Sequence, residues 1–115
     1  MTPIDKSLLT GSTTMLILKL LEGTDMYGYQ MIEELNLRSN NVFQLKAGTL
    51  YPLLHSLEQK DMLASYEKTV EQARVRKYYS LTAKGRKYLR EKTEEWQVYT
   101  AAVNHVLGGG SFATT

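Results

Sequence analysis

Cysteine is absent from the 115 residues of the chain, and proline occurs only twice. Without cysteine the chain can form neither a disulfide framework nor a thiolate metal site, which fits a reducing compartment. The longest uninterrupted apolar run covers residues 15–18, whereas a membrane span requires roughly 18 apolar residues. These absences predict a small cytoplasmic protein that makes no membrane contact.

Histidine is almost as scarce, since His55 and His105 are the only two. They belong to different predicted helices, and no cysteine or acidic pair completes a metal-binding triad beside either of them. The sequence also contains no glycine-rich phosphate loop and no nucleophile elbow. We therefore expect no catalytic residues, no metal and no cofactor.

The net charge of +2 conceals an uneven distribution of charge along the chain. Residues 74–92 contain eight basic side chains and one acidic one, whereas residues 20–45 contain four acidic side chains and one basic one. Such segregation points to a polyanionic partner for the basic segment. A charge run alone is more often a solvated helix face, so this interpretation depends on the architecture.

Apolar spacing predicts three helices in the first half of the chain. Residues 7–22 form a mostly buried helix that ends at Gly23. The apolar spacing from Tyr27 to Leu35 predicts a second, amphipathic helix with Asp25 before it as an acidic N-cap. The third helix runs from about Ala47 to Lys60. It can accommodate Pro52 if it begins between residues 48 and 51, where the first N–H groups have no helical partner.

The periodicity then changes from helix to strand. Residues 63–70 and 75–81 are rich in aromatic and β-branched side chains and are joined by a short polar loop, which predicts a β-hairpin. Thr82 is a suitable N-cap for a last helix from Ala83 to about Leu107. On this helix Leu89, Trp96 and Val103 recur every seven residues, which indicates packing against a partner helix.

The predicted fold is therefore mainly α with a β-hairpin wing. Three helices followed by a hairpin form a winged helix-turn-helix, in which the third helix enters the major groove of DNA. We expect a DNA-binding domain over residues 1–82, a dimerisation helix over residues 83–107, and a flexible tail over residues 108–115.

Three motifs give this layout a family resemblance. They are Tyr-Gly-Tyr at residues 27–29, Gly-Thr-Leu-Tyr-Pro-Leu-Leu at residues 48–54, and Arg-Lys-Tyr-Tyr-Ser-Leu-Thr followed by Ala-Lys-Gly at residues 76–85. Over about residues 8–90 the chain resembles the PadR family of bacterial transcriptional regulators, in particular its smaller subgroup with a single C-terminal helix. The resemblance implies a homodimeric repressor with the wing domain on DNA and the last helix in the dimer interface. Ala73 and Val75 depart from the glycine and proline that the family often has around the first wing arginine, so a wider or less ordered wing tip is expected.

The residues expected to meet DNA lie on the second and third helices and on the wing. On the third helix Leu50, Leu54 and Leu57 would pack inwards, which leaves the opposite face free for bases and phosphates. Two alternatives stay open, namely packing of Tyr51 against the second helix and a purely solvated, charged hairpin edge. The candidate DNA-binding residues are Tyr29, Lys46, Gly48, Thr49, Tyr51, His55, Arg74, Arg76 and Lys77.

A further set of apolar residues has more surface than one small wing domain can cover, and exposed apolar surfaces of that size mark interfaces. A symmetric dimer would bury it and would match a palindromic operator in double-stranded DNA. Trp96 would face its copy across the two-fold axis, where it either binds a small planar or phenolic effector or simply packs as core. The alternative function is a protein–protein interaction module that does not bind DNA. The candidate interface and effector residues are Leu8, Leu9, Leu89, Trp96, Tyr99, Val103 and Val106.

Overall fold

The computed structural model describes Ile4, residues 8 and 9, and residues 11–108. Four helices and three strands follow one another along the described chain. In chain order they are α1 (Thr13–Gly23), β1 (Met26–Tyr27), α2 (Gly28–Arg38), α3 (Ala47–Gln59), β2 (Leu63–Thr69), a 3-10 turn (Glu71–Ala73), β3 (Val75–Leu81) and α4 (Ala83–Leu107). This order confirms the winged helix-turn-helix, and no helix among these residues is long and apolar enough to cross a membrane.

The predicted first helix is interrupted before α1 begins. Leu8 and Leu9 are helical, but Gly11 and Ser12 form a turn. The carbonyl of Leu9 accepts hydrogen bonds from Ser12 Oγ at 3.2 Å and from Thr13 Oγ1 at 2.7 Å. These side-chain bonds compete with helix continuation, which is why small hydroxyl residues favour helix ends over helix interiors.

The hairpin is present with the predicted strands, and β1 adds a third strand on its β3 side. All pairings are antiparallel, with Tyr27 opposite Tyr78. The expectation that Asp25 caps the second helix is wrong, because pairing with β3 holds Met26 and Tyr27 extended and α2 begins only at Gly28. Asp25 Oδ2 instead accepts a hydrogen bond of 2.8 Å from Tyr66 Oη.

The helix α3 begins at Ala47, as its apolar spacing predicts. The carbonyl of Lys46 accepts hydrogen bonds from the backbone N–H groups of Thr49 and Leu50, so the helix already starts at Ala47. The predicted bounds of about Ala47 to Lys60 are therefore confirmed to within one residue, although Pro52 lies further into the helix than the first turn. Pro52 lies in the second turn, where it cannot donate to the carbonyl four residues before it.

Apolar side chains from α1, α2, α3, the sheet and α4 form one buried cluster. The predicted inner face of α3 is confirmed, since Leu50, Leu54 and Leu57 are all buried. Leu89 is only 3 % exposed and belongs to this core. Its assignment to the dimer interface is wrong, because the first turns of α4 lie within the domain and bury this position before the helix becomes exposed.

The two ends of α4 are set by local interactions. Thr82 Oγ1 accepts a hydrogen bond of 3.0 Å from the Gly85 N–H and donates one of 2.7 Å to the Asp61 carbonyl, which confirms the predicted N-cap. At the other end Gly108 adopts a left-handed φ of 91° that glycine tolerates best. The rest of the expected flexible tail, residues 109–115, lies outside the described residues.

Candidate nucleic-acid interface

The face of α3 that points away from the core is exposed. With 3.6 residues per turn, Gly48, Tyr51 and His55 share the face opposite the buried leucines, and all three are exposed. A Cβ atom added to Gly48 would find no atom within 4 Å, so the backbone there is open to close approach. Lys46 and Thr49 are also exposed, and the Lys46 side chain makes no capping bond to the first turn.

Tyr51 is packed against α2 and remains 46 % exposed. Its ring lies over Gly28, where an added Cβ would be 2.6 Å from Tyr51 Cζ. Tyr51 therefore packs against the second helix, which is one of the two alternatives that the sequence leaves open. This contact fixes the ring beside α2 while leaving nearly half of the side chain available to a partner.

The wing bases lie on two faces of the hairpin, as strand alternation predicts. The Arg76 guanidinium carbon is 4.2 Å from the ring centroid of Tyr27 on the outer face. Lys77 points the other way, with Nζ 3.7 Å from Glu58 Oε1 and 5.4 Å from the Tyr79 ring centroid. Glu58 thus offsets part of the charge of Lys77 within the protein.

The tip of the wing is closed without a glycine. Gln72 and Ala73 both have positive φ, 60° and 59°, a conformation that costs roughly 1–2 kcal/mol for a residue other than glycine. The Val70 N–H donates to the Arg74 carbonyl at 2.7 Å, and the Arg74 N–H donates to the Glu71 carbonyl at 3.3 Å. These bonds close the tip, and the Arg74 side chain is exposed there.

An open groove of about 730 Å³ separates α2 and α3 from the wing. It brings together four candidate residues that lie far apart in sequence. The other candidates lie on the open surface of α3 and at the tip of the wing. The groove is lined by Tyr27, Gly28, Tyr29, Glu33, Tyr51, Arg76, Lys77 and Tyr79.

The groove contains two basic side chains, Arg76 and Lys77, and one acidic side chain, Glu33. Within the described part of the chain no carboxylate forms an ion pair with Arg74 or Arg76, whereas Lys77 has Glu58. The hydroxyl groups of Tyr29 and Tyr51, the Lys77 ammonium and the Arg76 guanidinium can donate to phosphate oxygens. No group of three or more histidine or acidic residues among the described residues could hold a metal ion.

Sequence reasoning missed two charged neighbours of the wing bases. Glu58, at the end of α3, pairs with Lys77, and Lys68 lies opposite Arg76 in the hairpin register. The predicted loop over residues 71–74 would place Thr69 opposite Arg76, whereas the longer loop over residues 70–74 in the structure brings Lys68 there. The ion pair of Glu58 depends on how α3 packs against the sheet, which local sequence does not specify.

The second half of α4 carries an exposed apolar stripe, defined by Trp96, Tyr99, Val103 and Val106. Trp96 is 42 % exposed, and its ring centroid is 6.1 Å from that of Tyr99 at a tilt of 37°. Leu8 is also exposed, and Leu9 is partly buried.

Three helices with an open face on the third, followed by a two-stranded wing, define the winged helix-turn-helix class. The model of the transcriptional regulator PadR-like family matches residues 17–91 of this chain. The chain belongs to the PadR family of transcriptional regulators.

Relatives and solved structures are similar over most of their length. An uncharacterised protein of Lysinibacillus sphaericus is 37 % identical over 93 residues, which cover 81 % of this chain and 85 % of that protein. A transcriptional regulator of Mycobacterium tuberculosis is 34 % identical over 87 residues, which cover 76 % of this chain and 75 % of that protein. A Clostridium thermocellum transcriptional regulator superposes with a TM-score of 0.80 at 30 % identity, covering 86 % of this chain and 96 % of that one. A PadR family regulator of Eggerthella lenta superposes with a TM-score of 0.76 at 34 % identity, covering 88 % of this chain and 86 % of that one.

Proposed function

We propose that this chain is a homodimeric, sequence-specific DNA-binding repressor. The observation that carries the proposal is the groove between the helices and the wing, which gathers Tyr29, Tyr51, Arg76 and Lys77 beside the open face of α3. In a winged helix-turn-helix the third helix enters the major groove, and the wing reaches the neighbouring backbone or the minor groove. Membership of the PadR family implies the same partner.

The five candidate residues outside the groove have three roles in this proposal. Thr49 and His55 would read base edges, and this role is supported by their exposure on α3 and their hydrogen-bonding side chains. Gly48 and Lys46 receive a phosphate at the start of the helix, where free N–H groups and the helix dipole favour an anion. Arg74 lies at the wing tip, where it contacts the minor groove or a flanking phosphate.

The exposed stripe of α4 supports a symmetric dimer. Tyr99 is 62 % and Val106 is 87 % exposed, and stripes with a seven-residue spacing pack against partner helices. A two-fold axis places two copies of α3 on the same side of a palindrome, with half-sites about 34 Å apart or a multiple of that distance. Truncation of residues 96–115 should give a monomer with little DNA affinity, as measured by analytical ultracentrifugation and gel shift. A stable truncated dimer would refute the assignment of this interface.

DNA binding is tested with duplexes from upstream of the protein's own gene and from random sequence. We expect tighter binding to the former and a steep fall of the association constant with salt, because counterions return to the phosphates. Replacing Arg74, Arg76 and Lys77 by alanine should abolish DNA retention and leave dimerisation intact. Equal affinity for both duplexes, or a flat salt response, would contradict the proposal. Loss of a protein partner in the triple variant, with no DNA binding by the wild type, would instead establish the interaction-module alternative.

A small planar or phenolic effector that relieves repression completes the proposal. It would bind between the two copies of Trp96, since the exposed indole can stack on a flat aromatic ring. Such a ligand acts only if it binds one arrangement of the dimer better than the other. Titration with planar aromatics should quench Trp96 fluorescence and release operator DNA in parallel. If no compound quenches the indole, or if quenching leaves operator affinity unchanged, the two indoles pack as core and there is no effector site.

A further inference from the structure

The outer face of the sheet carries a row of three tyrosines, Tyr27, Tyr78 and Tyr66, one from each strand. Tyr78 is in the central strand β3, directly opposite both of the others. Its ring meets that of Tyr27 edge to face at 5.5 Å and stacks on that of Tyr66 at 5.7 Å with an interplanar angle of 13°. Both geometries are favourable for aromatic pairs. The tyrosine row therefore links all three strands on the side of the sheet away from the core.

The row is fixed at both ends. At one end Met26 is 2 % exposed and points into the core, so strand alternation turns Tyr27 to the outer face. At the other end Tyr66 Oη donates a hydrogen bond of 2.8 Å to Asp25 Oδ2, across 41 positions of sequence. Asp25 immediately precedes β1, so this bond ties the entry of the first strand to the far strand of the hairpin.

Arg76 lies against the first ring of this row. It is two positions before Tyr78 in β3, and Tyr78 pairs with Tyr27, so Arg76 and Tyr27 are diagonal neighbours on one face. Long side chains reach each other at that spacing. The guanidinium carbon is 4.2 Å from the Tyr27 ring centroid, within the roughly 6 Å over which a ring attracts a cation. Arg76 is also partly buried, whereas Arg74 is exposed.

We propose that Tyr27 is a positioning residue that holds the Arg76 guanidinium in a fixed orientation at the edge of the groove. A guanidinium held over a ring keeps its N–H groups directed away from the ring centre, where they can donate to phosphate in one geometry. A side chain that is already ordered loses less conformational freedom when DNA binds. This proposal rests on the proposed function, because it explains how Arg76 is held in one orientation for DNA.

The first test is a double-mutant cycle on the affinity for operator DNA at one salt concentration. Tyr27→Leu should weaken binding about two- to fivefold, the range for a cation–π contact near the surface. Tyr27→Phe keeps the ring and should stay within about twofold of the wild type. Arg76→Gln should lower the salt slope by about 0.9, and in that background Tyr27→Leu should add no further loss. An equal loss from Tyr27→Leu in both backgrounds, or from Tyr27→Phe and Tyr27→Leu alike, would overturn the proposal.

A matched control separates this effect from a loss of stability. Tyr88 also has a cation beside its ring, Lys92 Nζ at 5.4 Å, but it lies on α4 away from the groove. Tyr88→Leu should lower thermal stability without the loss of affinity seen for Tyr27→Leu. A comparable loss of affinity in Tyr88→Leu would mean that the Tyr27 effect is one of stability alone, and the proposal would fail.

The second test needs no DNA. The Arg76 Nε–Hε group should give a ring-shifted NMR signal with restricted motion in the wild type and in Tyr27→Phe, and both features should disappear in Tyr27→Leu. Free motion of this group in the wild type would overturn the positioning role, even if the protein binds DNA. If the wild type binds no DNA, the proposed function fails, and the NMR signal still decides whether Tyr27 fixes Arg76.

Discussion

Two glycines near the beginnings of helices provide a matched pair of substitutions by alanine. Gly85 lies in the first turn of α4, where an added Cβ would clash with the backbone carbonyl oxygen of Met62 and lie 2.8 Å from Leu81 Cδ1. The clash cannot be relieved easily, because the Met62 carbonyl also accepts a hydrogen bond of 3.2 Å from the Thr82 N–H. Gly48 lies in the first turn of α3 and has no atom within 4 Å of the added Cβ.

The expected change in stability has opposite sign at the two positions. Overpacking at Gly85 costs roughly 1–3 kcal/mol, and the higher helix propensity of alanine returns at most about 1 kcal/mol. Because the clash is with backbone that cannot easily move, the upper part of this range, about 2–3 kcal/mol, applies, and the net loss is about 1–2 kcal/mol. Gly48→Ala should gain about 0.5–1 kcal/mol, because only the helix propensity changes. For 115 residues the unfolding entropy is about 240 cal/mol/K, so each kcal/mol corresponds to about 4 °C in Tm.

Thermal unfolding followed by circular dichroism measures both changes. We expect Tm to fall by about 4–8 °C for Gly85→Ala and to rise by about 2–4 °C for Gly48→Ala. The protomer concentration must be the same for each variant, since Tm depends on concentration in a dimer. The stabilised Gly48→Ala protein should nevertheless bind DNA more weakly, because its new methyl group stands where a phosphate approaches. An unchanged Tm for Gly85→Ala would refute the packing argument, and undiminished DNA affinity in Gly48→Ala would refute the close backbone approach.

Three further predictions concern side chains around the groove and the tyrosine row. Gly28→Ala should displace the half-exposed Tyr51 ring and weaken DNA binding in a gel shift, with only a small change in Tm, because the clash is with the end of a side chain. Glu58→Gln should tighten DNA binding about 1.5- to 5-fold in an anisotropy titration by releasing Lys77 from its ion pair. The hydrogen bond to Asp25 raises the pKa of Tyr66 above its usual 10, so it stabilises the fold below pH 10 and this contribution is lost as the pH rises through the folded pKa. Urea unfolding at pH 9 and 11 should therefore show a smaller alkaline loss in Tyr66→Phe than in the wild type.

Elements that depend on local chemistry were predictable from the sequence. The limits of α3 and of the hairpin strands agree with the structure to within one residue. Thr82 caps α4 as expected, because a threonine before a helical stretch satisfies a free N–H of the first turn. The separation of Arg76 and Lys77 onto two faces also follows from strand alternation alone.

Elements that depend on distant pairing were not predictable. The strand β1 has only two residues and forms because it can pair with the edge of β3. This pairing delays the start of α2, so Asp25 does not cap that helix and instead accepts a hydrogen bond from the hydroxyl group of Tyr66. The ion pair between Glu58 and Lys77 likewise requires α3 to pack beside the sheet. Helix and strand propensities cannot predict these contacts, because each contact joins segments that are far apart in sequence.

The seven-residue stripe on α4 shows why spacing alone cannot separate a core from an interface. Leu89 and Trp96 occupy equivalent positions of the stripe, but Leu89 is 3 % exposed and Trp96 is 42 % exposed. A single face of one helix therefore packs first inside the domain and then outside it. Because the helix is continuous from Ala83 to Leu107, the packing of Leu89 sets the direction in which Trp96 and Val103 leave the domain. In the proposed dimer, the core of each protomer thus determines the orientation of the two α3 helices, and with it the spacing of the half-sites they can reach.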